Sequence, residues 1–110
     1  MKDGKEKSIV EIYEQDGKLH GKIIELLPAA TYTKCENCDG ELKNKPLKGM
    51  VIIRDLIKTE DGGEDGLVMD PLNGKTYSCF VKLEGNDKLK LRGYLGTPAL
   101  GKTQYWYRVK

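Results

Sequence analysis

The segment Lys75–Leu95 reads KTYSCFVKLEGNDKLKLRGYL, and its pattern decides the fold. Before the central GND, positions 77, 79, 81 and 83 are Tyr, Cys, Val and Leu; after it, positions 89, 91 and 95 are Leu, with glycine at 93. Alternation with a period of two is typical of a strand that buries one face. Because Gly85-Asn86-Asp87 is a turn sequence, the segment predicts two antiparallel strands joined by a tight turn.

The same pattern extends in both directions from this hairpin. Ser8–Glu14 and Lys18–Leu27 flank an Asp-Gly turn and predict a second hairpin. Pro28–Pro46 is irregular, and the glycine-rich acidic run at 60–66 predicts a turn. The remaining predicted strands are Gly49–Lys58, Leu67–Asp70, Lys75–Glu84, Lys88–Leu95 and Lys102–Val109.

Seven strands at regular spacing, joined mostly by turns too short for crossover helices, predict an all-β, up-and-down antiparallel meander. An open meander would leave two edges, so closure or near-closure into a β-barrel is the favoured architecture. A two-sheet sandwich is the alternative. We expect residues 1–110 to form one domain, with residues 1–7 disordered or derived from an expression vector.

Composition excludes several classes of function. Of the 110 residues, 38% are hydrophobic and 33% charged, and the net charge is +2 with both signs interspersed. A nucleic-acid partner is not expected, since no basic stripe with stacking aromatics occurs. No apolar run approaches the ~20 residues of a membrane-spanning helix. The charged N-terminus is not followed by the apolar stretch of a signal peptide.

A Cys-x-x-Cys pair, Cys35 and Cys38, lies in the long irregular segment. It predicts a local disulfide in an oxidising compartment or two free thiols in a reducing one. A zinc site needs four ligands, and the other candidates are only His20, Asp39 and Cys79, so no metal is expected. No βαβ pattern surrounds the pair, as a redox centre of the thioredoxin type would require.

No catalytic constellation stands out. His20 is the only histidine, and the pattern supplies no serine or cysteine nucleophile partnered with it. We therefore expect a protein that is not an enzyme and needs no cofactor.

Polar and aromatic residues of the last strands are the best candidates for a ligand site. If they face inward, they form an aromatic wall with a cation and an amide, suited to a small ligand that carries a carboxylate. The alternative is a plugged barrel, with Arg108 stacked on Trp106 or a neighbour. The candidate cavity residues are Tyr77, Arg92, Tyr94, Gln104, Trp106 and Arg108.

Several segments together resemble a known bacterial family. They are VEIYEQDGKLHGKI at 10–23, the CENC loop before KPLKGM, DPLNGKTY at 70–77, LKLRGYLG at 89–96 and LGKTQYW at 100–106. In this order they closely resemble the family catalogued as domain of unknown function 2147, over residues 8–110.

The resemblance implies a lipocalin-like, calycin-type barrel in an exported, periplasmic or secreted protein with no established activity. The family pattern begins with a G-x-W strand that has no counterpart upstream of Lys7, so the resemblance also implies a missing first strand and an incomplete barrel. The expected function is binding of a small apolar or amphipathic ligand, such as a lipid or fatty acid. The alternative is an envelope interaction or structural module that uses an exposed edge strand. A monomer or a weak dimer is expected.

Overall fold

The computed structural model describes Met1 and residues 7–38, 40–71, 73–97 and 101–109. The expectations for residues 2–6, Asp39 and positions 98–100 lie outside the described residues. The strands are β1 (Ser8–Gln15), β2 (Lys18–Leu26), β3 (Val51–Thr59), β4 (Gly62–Met69), β5 (Thr76–Glu84), β6 (Lys88–Tyr94) and β7 (Gly101–Tyr107), with a 3-10 helix at Gly40–Leu42.

The strands form one sheet in the order β1-β2-β3-β4-β5-β6-β7, each antiparallel to its neighbours. The predicted all-β meander is confirmed, and the sheet curls into a half-barrel. In the described part of the chain no pairing joins β1 to β7. The outer edge of β1 is bridged only at Val10, whose N–H and C=O both bond to the backbone of Met1.

The β1–β2 hairpin follows directly from its turn residues. Asp16 and Gly17 have φ angles of 55° and 80°, which is the pair of positive values that a type I′ turn requires. Gln15 therefore pairs with Lys18, and the register continues to Val10 opposite Ile23 before a bulge at Ile24 of β2.

The predicted boundary of β4 was wrong. Sequence placed a turn over Glu60–Gly66, but the turn is confined to residues 60–61, and β4 already begins at Gly62. At Gly66 a β-carbon would lie 2.7 Å from Cδ2 of the fully buried Leu56. This glycine belongs to the strand because it makes room for a core side chain.

Two irregularities bend the centre of the sheet. Between the pairs Leu19↔Leu56 and Gly21↔Ile53, the single residue His20 faces both Arg54 and Asp55, and Asp55 has a φ of 63°. A second shift follows at the next pair, Lys22↔Val51. Bulges of this kind bend a strand and increase its twist. The concave face holds the core, whose largest fully buried side chains are Val10, Ile53 and Leu56, with Trp106 and Leu91 nearly buried.

Candidate functional site

A pocket of about 550 Å³ opens at one end of the curled sheet. At this end, called the mouth below, β1, β3, β5 and β7 begin and β2, β4 and β6 end; the opposite end is the base. The volume falls within the range of small-molecule sites, roughly 300–1,000 Å³. The apolar part of its wall includes Ile23, Ile52, Val68, Met69, Leu91 and Trp106.

The inner face of β7 changes in polarity from mouth to base. Lys102, Gln104 and Trp106 all line the pocket, opposite Gly93, Leu91 and Leu89 of β6. Trp106 is only 3% exposed, and its Nε1–H donates to Oε1 of Gln104 at 3.4 Å. Gln104 and Lys102 are exposed although they share the face of a buried indole, because the pocket lies in front of them.

Four of the six predicted cavity residues line this pocket. Gln104 and Trp106 are in its wall, as described above, and Tyr77 and Tyr94 also line it. The hydroxyl of Tyr77 accepts a hydrogen bond from Nδ2 of Asn73 at 3.0 Å, which holds the phenol against the β4–β5 connection. Tyr94 is the last residue of β6, at the mouth, and its ring lies 6.4 Å from that of Phe80.

The two predicted arginines do not line the pocket. Arg92 lies between the inward-facing Leu91 and Gly93, so alternation places it on the convex face, where its guanidinium donates to Oγ1 of Thr103 at 2.7 Å. Arg108 lies beyond the end of β7, so the alternation does not extend to it. Its Nε donates to the carbonyl of Asn86 at 2.7 Å, so its guanidinium contacts the β5–β6 turn at the base instead of stacking on Trp106.

Sequence reasoning missed the cation that the pocket does contain. Lys102 has the same parity along β7 as Gln104 and Trp106, and extending the period by one step toward the mouth would have found it. Lys7, at the start of β1, also lines the pocket. No comparable pattern marked Ala30, Thr31 and Tyr32, because they lie in the irregular β2–β3 loop.

The β2–β3 loop, residues 27–50, forms one side of the mouth and contains a disulfide between Cys35 and Cys38. Both half-cystines are buried, at 0% and 2% exposure, and the Cys38 sulfur lies 3.7 Å from Sδ of Met69, a residue of the pocket wall. Gly74 has a φ of 72°, and a β-carbon there would clash with the carbonyl of Asn37. The loop is therefore packed directly against the β4–β5 connection.

The contacts of His20 hold the sheet together and do not face the pocket. Its ring stacks on Tyr13 with centroids 5.5 Å apart, and its Nδ1 accepts from the backbone N–H of Asp55 at 3.4 Å. Among the described residues no group of three or more histidine, cysteine, aspartate or glutamate side chains could hold a metal ion. No helix in the described part of the chain is long and apolar enough to cross a membrane.

Comparison with known proteins agrees with the fold. A solved structure described as "Protein HP1028 from the human pathogen Helicobacter pylori belongs to the lipocalin family" superposes with a TM-score of 0.83 at 28% sequence identity. The match covers 94% of this chain and 73% of that one. No curated protein matches the chain. The family model described as "Uncharacterized protein conserved in bacteria (DUF2147)" matches residues 1–108, and the chain belongs to this family.

Proposed function

We propose that this protein binds a small apolar or amphipathic molecule, of lipid or fatty-acid kind, in its pocket and catalyses no reaction. The observation that carries the proposal is the pocket of about 550 Å³, walled by Ile23, Ile52, Val68 and Leu91 with Trp106 at its inner end. An apolar surface that faces open space contributes binding free energy when a ligand covers it, at about 25 cal/mol per Å².

The fold supports the same proposal. The Helicobacter pylori protein is described as a lipocalin, and barrels of that class enclose one small ligand. The described site residues supply apolar contacts with a few hydrogen-bonding groups at the rim, which is the usual composition of a binding pocket.

We further propose a periplasmic or secreted location. It is supported by the buried disulfide between Cys35 and Cys38, because disulfides persist in oxidising compartments and are rare in the cytosol.

The proposal can be tested through the single tryptophan. Because Trp106 is the only tryptophan and lines the pocket, energy transfer from it to the neutral dye N-phenyl-1-naphthylamine reports binding at this site. We expect saturable binding to the parent protein. A Gly93→Leu variant should bind at least about ten-fold more weakly, because its side chain takes up part of the pocket volume that the dye needs.

Gly93 suits this experiment because a β-carbon fits there without a clash. A β-carbon at Gly93 would lie 3.6 Å from Cγ1 of Val68 and 3.9 Å from Cβ of Tyr77, both ordinary contacts. Lys90→Leu, on the convex face of the same strand, is the matched control and should bind as the parent does. Absence of dye binding to the parent, or equal binding by Gly93→Leu, would refute the proposed site.

A second candidate function is an envelope interaction or structural module. It is favoured by the sheet edges, since no described strand pairs with the outer side of β1 or of β7. An exposed edge can accept a strand from a partner. Amide exchange along β1 tests this candidate.

A further inference from the structure

The charged residues around the mouth are unevenly placed. Lys7, which directly precedes the edge strand β1, and Lys102, the second residue of the edge strand β7, both line the pocket. Asp70 is the only acidic side chain among the described lining residues, and it follows β4, with β5 and β6 between it and β7. Among the described lining residues, the basic side chains therefore lie on the side of the mouth next to the open edges of the sheet, away from Asp70.

On the inner face of β7, the charged Lys102 lies on the same side of the strand as the buried Trp106. Lys102 and Trp106 are four residues apart on one strand, or about 13 Å at the rise of a β-strand. Gln104 lies between them, with its carbonyl oxygen engaged by the Trp106 indole, so its amide nitrogen remains the group that can donate outward. Gly93, opposite Lys102, has no side chain that would fill the space in front of the ammonium group.

We infer that the ligand is an amphipathic anion, bound with its acidic head at Lys102 and Gln104 and its apolar chain along Leu91 toward Trp106. This inference rests on the proposed binding function and specifies its ligand class. An ammonium group and an amide N–H are both donors, which suit a carboxylate and cannot accept from a cationic head. The two predicted arginines lie outside the pocket, and of the two lysines that line it, Lys102 is the one that shares the inner face of β7 with Gln104 and Trp106.

The test compares three ligands with the same chain and different heads: dodecanoate, dodecanol and dodecylamine. Their affinities are measured by displacement of N-phenyl-1-naphthylamine, below the concentrations at which they form micelles. We expect dodecanoate to bind about ten-fold more tightly than dodecanol, since a hydrogen bond to a charged partner contributes about that factor. Dodecylamine should bind most weakly, and the preference for dodecanoate should shrink as salt is added.

Lys102→Gln should lower the affinity for dodecanoate about ten-fold and leave that for dodecanol unchanged, because the apolar wall is intact. Lys102→Glu should make dodecylamine the preferred ligand. Lys18→Gln removes the same charge from an exposed position at the base and should bind all three ligands as the parent does. Lys102 is exposed, so both variants are expected to fold, which their melting temperatures will verify.

The outcomes separate the two proposals. Equal affinity for dodecanoate and dodecanol, or an undiminished preference in Lys102→Gln, would overturn the inference and leave the binding function standing. Failure of all three ligands, together with failure of the dye itself, would overturn both.

Discussion

Cys79 lies at the centre of β5, opposite Gly66 of β4 and Gly93 of β6, and its side chain is completely buried. Burial disfavours the thiolate and raises the pKa of the Cys79 thiol from its usual 9.0 to about 12. A pKa that is higher in the folded state contributes stability that is complete below pH 9 and is lost as the pH rises through about 12. We predict that the free energy of unfolding falls less steeply over this interval in Cys79→Ala than in the parent.

Urea titrations from pH 8 to 12 measure this difference, and Cys79→Ala itself should cost about 1 kcal/mol at pH 8 through the lost sulfur contacts. Thiol counting provides a control on the same protein. Because Cys35 and Cys38 form a disulfide, we expect no reactive thiol in the native state and one after unfolding without reductant. A native thiol that reacts at pH 8, or equal slopes for the two proteins, would contradict the burial of Cys79.

Individual side chains were predictable wherever the strand period held without interruption. Alternation brought Tyr77, Gln104 and Trp106 to the pocket, since all three lie within regular strands. It could not place Arg108, because the strand ends one residue earlier and the guanidinium then finds acceptors in the turn at Asn86. Arg92 was selected for its chemical type, although its position between the inward-facing Leu91 and Gly93 already placed it on the outer face.

At the scale of one strand, the curvature of β3 depends on the backbone of Asp55. Its φ of 63° lies in the left-handed region, which aspartate tolerates and β-branched residues do not. We predict that Asp55→Val destabilises the protein by about 1–2 kcal/mol, while Asp55→Gly is neutral or slightly stabilising. Urea denaturation of both variants measures the difference, with Lys58→Val as a control on the same strand. A Val variant as stable as the Gly variant would show that the bulge is absent.

The features that sequence reasoning missed, namely the start of β4 and the bulges of β3, are those in which a glycine or an extra residue serves packing. The run at 60–66 contains three glycines and reads as a turn, but Gly63 and Gly66 are buried strand residues beside Leu56. In β3 the interruption is a register shift between the pairs at Gly21 and Lys22, and because of this shift two successive residues, Ile52 and Ile53, are both buried. Local pattern contains no information about which side chain of a neighbouring strand must be accommodated, so these boundaries required the three-dimensional structure.

For the whole molecule, the two ends of the curled sheet have different roles. The strands are joined at the base by tight turns, such as Asp16-Gly17, and the mouth carries the long loop that contains the disulfide between Cys35 and Cys38. Between them run β1 and β7, which are parallel to each other because the meander has an odd number of strands. Residues of both edge strands line the pocket, so the pocket borders the open side of the sheet as well as the mouth.

The unpaired outer edge of β1 leads to a prediction about hydrogen exchange that tests whether the sheet is open. Val10 directs both backbone groups away from β2, toward Met1, so the amides of Ile12 and Glu14 also point outward by alternation, and those of Glu11 and Tyr13 bond to β2. In dilute protein, hydrogen exchange followed by NMR should therefore be fast at Ile12 and Glu14 and slow at Glu11 and Tyr13. Slow exchange at all four in dilute monomer would mean that the edge is covered and the barrel closed. Protection of Ile12 and Glu14 that appears only at high concentration would instead show that a second copy adds a strand at this edge, which is the behaviour expected of an interaction module.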